Sequence, residues 1–169
     1  GKYFLSASLR RDGSSRFGAD NRWGTFYSFG GSWVASNEAF LEDVSFLNLL
    51  KVRSSWGVTG NAAIGDFPSQ GLYVYGQDYD GNPGAAPSQV SNNLLTWESQ
   101  ENFNIGLDAT FLDNKIRLNV EYFERTSSDL LLDRPLSLTT GFSSVAQNIG
   151  DMENKGIEVD LSVDIIQTS

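Results

Sequence analysis

Histidine and cysteine are both absent from the 169 residues. The sequence therefore offers no imidazole base, thiol nucleophile, disulfide or zinc-type ligand set. What chemistry remains rests on carboxylates, hydroxyls and aromatic rings. The run Asp78-Tyr79-Asp80-Gly81-Asn82 spaces oxygen atoms around a glycine, as calcium loops do. An EF-hand would need a bidentate Glu at its twelfth position, where Gln89 stands, so an Asp-Gly turn in an acidic loop is the better reading. Glu158 and Asp160 lie at i, i+2, about 7 Å apart along a strand, a separation that would suit an inverting glycosidase. Charges recur along every polar strand face, however, and a hydrated wall explains the pair more simply. Tyr73, Tyr75 and Tyr79, with Trp97 at the end of the same stretch, can stack on sugar rings or touch a partner protein. Asp78, Asp80 and Asp66 would add an acidic, hydrogen-bonding rim to them. Tyr73 and Tyr75 fit equally well in a short hairpin that extends a wall, and both readings stay open. No catalytic residue, metal or cofactor is expected.

The surrounding composition narrows the class. Apolar residues make up 40% and charged residues 20%, with 17 glycines and 12% aromatics. This balance favours a β protein rich in glycine and aromatics. The formal charge of −9 argues against nucleic acid as a partner. Residues 1–60 carry seven basic and five acidic groups, whereas residues 61–169 carry five and sixteen. Such asymmetry commonly marks solvated loops. Nothing approaches the apolar run that a membrane-spanning helix requires.

Period-two alternation is the dominant pattern and places strands near residues 2–11, 22–36, 48–60, 97–112, 115–126 and 154–165. One face collects Leu5, Leu9, Tyr27, Trp33, Val52, Trp56, Ile105, Leu107, Val120, Tyr122, Ile157 and Val159. The other collects Ser8, Arg10, Ser28, Arg53, Asn104, Asp108, Glu121, Glu158 and Asp160, and Phe4 breaks the rule. A tight turn is expected at Leu112-Asp113-Asn114, and a short link at 37–47 with a helical turn starting at Asn37. The links at 12–21, 61–96 and 127–153 are longer, and antiparallel parity puts all three at one end. Loops of that length without structure are abnormal in a compact soluble domain but normal on the outer side of a membrane barrel.

Alternation alone suits two architectures. The first is up-and-down antiparallel strands forming part of a large transmembrane β-barrel. The second is a soluble, carbohydrate-binding β-sandwich domain, whose apolar faces would form a core. Strand length sufficient to cross a bilayer at a tilt favours the first. So do aromatics gathered at the strand ends: Tyr3, Trp33 and Phe111 at one, Trp23, Trp56, Trp97 and Tyr122 towards the other. Six strands cannot close even a small barrel, so an open, curved sheet is expected.

Four motifs then carry a specific resemblance. They are Ser8-Leu9-Arg10-Arg11-Asp12-Gly13-Ser14-Ser15-Arg16-Phe17-Gly18 with Asn21-Arg22-Trp23-Gly24; Leu50-Lys51-Val52-Arg53-Ser54-Ser55-Trp56-Gly57-Val58-Thr59-Gly60-Asn61; Leu95-Thr96-Trp97-Glu98 leading to Asn104-Ile105-Gly106-Leu107-Asp108; and Thr140-Gly141-Phe142 through Asn148-Ile149-Gly150-Asp151-Met152-Glu153-Asn154-Lys155-Gly156-Ile157-Glu158. In that order they closely resemble the SusC/RagA family of TonB-linked outer-membrane proteins. The resemblance implies a barrel of about twenty-two strands with a plugged lumen. It also implies import of oligosaccharides or peptides in Bacteroidota, energy relayed by the TonB complex, and a SusD-like surface lipoprotein closing the barrel as a lid. On that reading residues 1–169 are a fragment of the barrel domain set in outer-membrane lipid. The plug domain and the TonB-contacting segment would belong to the missing N-terminal part.

Overall fold

In a computed structural model, which describes residues 1–165, the chain forms ten strands in chain order. They are β1 (Tyr3–Gly13), β2 (Trp23–Val34), β3 (Leu47–Asn61), β4 (Leu72–Tyr75), β5 (Ala85–Gln89), β6 (Glu98–Phe111), β7 (Ile116–Ser128), β8 (Leu131–Pro135), β9 (Ser144–Asn148) and β10 (Met152–Val163). Six of them make one open antiparallel sheet in the order β1-β2-β3-β6-β7-β10, the up-and-down order expected from the sequence. The short strands pair separately, β4 with β5 and β8 with β9, so each of the two longest connections carries its own hairpin. Among the described residues no second sheet packs on the six-stranded one, which removes the sandwich reading. The apolar face stays open instead, with Leu5 91%, Leu9 76% and Ile157 70% exposed.

Helical structure among the described residues is limited to single 3₁₀ turns at Ala19–Asn21, Ala35–Asn37 and Leu138–Thr140. The turn expected to start at Asn37 ends there instead. Glu38 leaves with extended backbone, and its N–H closes the turn on the Ala35 carbonyl. The tight turn is as expected, with Leu112, Asp113 and Asn114 all left-handed at φ 53°, 56° and 67°. Asp and Asn tolerate that region and Leu does not. Two bonds hold it, one to the neighbouring link and one to the start of β3: the Leu112 N–H donates to Phe46 O at 2.9 Å, and the Asn114 N–H to Asn48 Oδ1 at 3.2 Å. Asn48 is the extra residue of a bulge at the start of β3.

The register lets rows of side chains be followed across the sheet. Leu9 lies opposite Tyr27, Tyr27 opposite Val58, Val58 opposite Glu101, Glu101 opposite Thr126 and Thr126 opposite Glu153. On β1 the apolar run ends at Leu9, before Arg11; on β10 it ends at Ile157, before Lys155, four residues lower than Glu153. The apolar band therefore crosses the register obliquely, falling about 13 Å over five strand spacings of about 4.8 Å. Laid level, the band tilts the strands by roughly 30°, close to the tilt of barrel walls.

Several large side chains fold across a glycine directly opposite in register. Trp23 lies on Gly13, Arg53 on Gly106 and Phe123 on Gly156, and a Cβ at each glycine would come within about 3 Å of them. This is how Phe123 sits on the polar face without breaking it.

Candidate functional site

The three long connections leave the same end of the sheet and are tied to one another. Phe17 and Leu95 are the two fully buried side chains among the described residues, at 1% and 0% exposure. Their small core is completed by Trp97, whose ring lies 5.0 Å from Phe17 and 5.4 Å from Phe26. The Trp97 indole N–H donates to Arg22 O at 3.2 Å. Gly18 allows the closest approach: a Cβ there would fall 2.0 Å from Asn93 O. Arg16 donates to Ala62 O at 2.9 Å and sits 3.6 Å from Asp66. Asn21 donates to Leu94 O at 3.2 Å.

The second long connection joins through amides. Asn148 Nδ2 donates to Thr96 O and Asp129 O, both at 2.9 Å, while its Oδ1 accepts from Thr96 N at 2.9 Å. Asn92 Nδ2 donates to Ala146 O at 2.8 Å, on β9. Each of these side chains satisfies backbone that has no strand partner. Phe17, Gly18, Leu95, Thr96, Trp97 and Asn148 all fall within the quoted motifs, so those motifs are in large part a clasp that orders the loops.

Between the loops lies a cleft of about 580 Å³. One wall comes from residues 63–66, Pro68 and Pro87 to Gln89, the other from Leu131 to Asp133 and residues 141–146. Two carboxylates, Asp66 and Asp133, line it beside Ser88, Gln89 and Phe142. This cleft is not legible from local pattern, because its two walls are separated in sequence by the whole stretch from Gln89 to Leu131.

The tyrosines stand apart from the cleft. Tyr73 and Tyr75 project from β4 on the separate hairpin and are 66% and 82% exposed. The hairpin they occupy is not an extension of the six-stranded wall. Tyr79, 85% exposed, opens a two-residue turn in which Asp80 and Gly81 take φ of 50° and 77°. Tyr79 and Asn82 bond reciprocally at 3.0 and 2.9 Å, the pattern of an Asp-Gly hairpin turn. Asp78 lies just before this turn. Trp97 is not brought together with the tyrosines; it is held in the clasp.

On the polar face of the sheet, Arg53 pairs with Asp108 at 3.4 Å and with Glu121, and Asn119 donates to Asp108. Glu158 lies opposite Glu121 in register and Asp160 opposite Asn119, so the suspected carboxylate pair belongs to a charged wall that spans several strands. At the short-turn end, Glu38 was not singled out by sequence pattern. Its carboxylate accepts from the Tyr3 hydroxyl at 2.6 Å, Lys2 Nζ at 3.0 Å and Trp33 Nε1 at 3.1 Å. Those bonds, led by the one from Tyr3, lower its pKa to about 2.

Comparison with known proteins agrees with this architecture. The family model described as TonB dependent receptor-like, beta-barrel matches residues 1–167. TonB-dependent receptor P39 of Formosa agariphila is 42% identical over 95% of this chain and 16% of its own length. TonB-dependent receptor SusC of Bacteroides thetaiotaomicron is 38% identical over 99% of this chain and 17% of its own. The chain thus spans about a sixth of the curated relatives it matches. The structure of the RagAB peptide importer in its closed-closed state superposes with a TM-score of 0.91 at 36% identity, covering 99% of this chain and 18% of that one. The siderophore receptor PirA from Pseudomonas aeruginosa, at TM-score 0.62 and 18% identity, shares the fold alone. The chain belongs to the TonB-dependent receptor β-barrel family, as a partial barrel whose relatives include SusC and the RagAB importer.

Proposed function

We propose that this chain forms part of the wall and surface loops of an outer-membrane, TonB-dependent nutrient importer, carrying oligosaccharides or peptides beneath a SusD-like surface lipoprotein. The oblique apolar band carries the reading. A sheet that leaves its apolar face exposed needs an apolar medium on that side, and the slope of the band matches strands tilted through a bilayer. The long-loop end is then extracellular. The charged face, with Arg53, Asp108, Glu121 and Glu158, lines the lumen. Residues 1–169 act as a portion of the barrel domain, and the plug and the TonB-contacting segment are supplied by other parts of a longer protein.

Within this reading the loop end meets substrate or lid. Tyr73, Tyr75 and Tyr79 offer large, rigid, exposed contact area, and Asp78 and Asp80 add an acidic rim. Trp97 serves by holding the clasp that positions them. The test is replacement of the three tyrosines by Ala together in the full-length receptor. Normal surface levels with weakened uptake or weakened co-purification of the lipoprotein are expected. Unchanged uptake and unchanged co-purification would remove the tyrosines from the site.

A further inference from the structure

The outward face of the wall is not uniformly filled. Between β1, β2 and β3 it carries a notch of about 610 Å³ lined without a charged side chain. Ala7, Gly31 and Ser54 form its floor, three small residues gathered in one place, whereas the rest of the band, Ala109 apart, carries mostly Leu, Val, Ile or an aromatic. Leu5 bounds it on one side, and Phe29 stacked on Trp56 (6.2 Å, 8° between planes) bounds it on the other. A rigid flat surface laid over such a notch would leave it empty, and an empty apolar void forfeits contact energy. A flexible hydrocarbon chain fills it.

A second feature stands above the notch on the same face. Arg11 follows Leu9 at the long-loop edge of the band, exposed, with its guanidinium 5.1 Å from the centre of the Trp23 ring. Arg10 and Asp12 neutralise each other on the opposite face at 2.6 Å, whereas Arg11 makes no ion pair among the described residues. The corresponding edge on β6, β7 and β10 carries Glu101, Glu124 and Glu153 against Lys155. An anionic headgroup is thus attracted to β1 and repelled from the other half of the wall. From Arg11 to the notch at Ala7 and Leu5 is about 13–20 Å along the strand. That is close to one leaflet of a hydrocarbon core about 30 Å thick.

From this juxtaposition we infer a built site for a lipid of the outer leaflet with a net-anionic phosphate headgroup: one acyl chain lies in the Gly31–Ser54 notch and the phosphate rests on Arg11. The inference rests on the membrane-wall reading above, and goes beyond it by assigning one lipid class to one place.

The test uses the full-length receptor, delipidated in detergent and followed by native mass spectrometry. Dioleoyl phosphatidic acid is compared with dioleoyl phosphatidylcholine, which shares its chains but whose phosphate charge is offset by its own choline, and with inorganic phosphate alone. The wild-type receptor is expected to retain phosphatidic acid about tenfold better than phosphatidylcholine, the scale of one charge-assisted contact. Arg11→Gln should erase that preference while leaving phosphatidylcholine retention unchanged. Gly31→Leu fills the notch, and its new Cβ meets Leu5 Cδ2 at 3.4 Å and Phe4 O at 3.9 Å, both ordinary contacts. It should lower retention of both lipids. Equal retention of the two lipids by the wild type would overturn the site. So would inorganic phosphate bound as well as phosphatidic acid, or a receptor dimer lost in Gly31→Leu with no lipid preference, which would make the notch a contact between copies. Heat-modifiable gel mobility reports separately on the barrel. A wild-type receptor that fails that control removes the membrane-wall reading and the lipid site together, whereas one that passes it and shows no preference removes the lipid site alone.

Discussion

The wall and the clasped loops above it are built on opposite principles. The wall hides almost nothing: its large apolar side chains are ordered by strand alternation and left facing outward. The loop end contains the two fully buried side chains, Phe17 and Leu95, and seals them with its own backbone and amides. Stability of the wall is therefore set by the medium on its outer face and by neighbouring strands. The clasp is set by contacts that the chain makes with itself. A substitution can accordingly damage one and spare the other, and the size of the damage tells which principle governs each region.

The largest separation is expected on the wall. Ile105 faces outward within the apolar band, opposite Ser54 and Tyr122, while Asn104 next to it faces the polar side opposite Ser55. An Arg on the lipid face costs about 2–4 kcal/mol near the midplane of a membrane barrel and little on the lumen side. In the full-length receptor, Ile105→Arg should sharply reduce the heat-modifiable, folded form, and Asn104→Arg should leave most of it. Equal assembly of the two variants would break the assignment of faces.

The same contrast explains what could be read from sequence. The six long strands were legible to within a few residues because alternation is local and the band is continuous. Phe26 and Phe123 are exceptions to alternation. Phe26 is 9% exposed beneath the loops, with Gly24 and Gly60 against its ring, and Phe123 lies flat on Gly156. Neither partner is visible from a period of two. Antiparallel parity gathers the long links at one end, but how they pack there is not legible in the sequence. Motif residues such as Phe17 and Asn148 could be quoted, but not their meeting, since Asn148 reaches Thr96 across 52 residues. Trp97 shares a stretch of sequence with the tyrosines, but the fold turns its ring towards Phe17. The hairpin of β8 and β9 is not legible in the sequence because two five-residue strands, one ending in Pro135, carry too short a pattern.

A smaller effect should come from the clasp. In Gly18→Ala the added methyl carbon would meet the Asn93 carbonyl, which is backbone and cannot swing aside. Overpacking of this kind costs about 1–3 kcal/mol. Here it should be confined to the loops. Limited proteolysis of the full-length receptor is expected to cut residues 62–97 and 129–151 faster, with heat-modifiable mobility of the barrel retained. Loss of the folded barrel in Gly18→Ala would show that the two regions are not independent.

The smallest effect lies at the short-turn end, where the wall is touched by a link of its own. Glu38 binds the polar ends of two outward aromatics, Tyr3 and Trp33, and so lets their rings lie against an apolar medium with their hydroxyl and indole N–H satisfied. Hydrogen bonds from Tyr3, Lys2 and Trp33 hold its pKa at about 2, below the ordinary 4.5. A depressed carboxylate stabilises the folded form fully above its unfolded pKa, and that contribution is lost as pH falls towards the folded value. The window is therefore pH 4.5 down to about 2. Across it the wild-type receptor should show a change in the fluorescence of Trp33, isolated as the difference from a Trp33→Phe variant. Glu38→Gln cannot titrate and should be flat over the same range. A matching acid transition in Glu38→Gln would place the titrating group elsewhere, and Glu38 would then be no more than a neighbour of the aromatic pair.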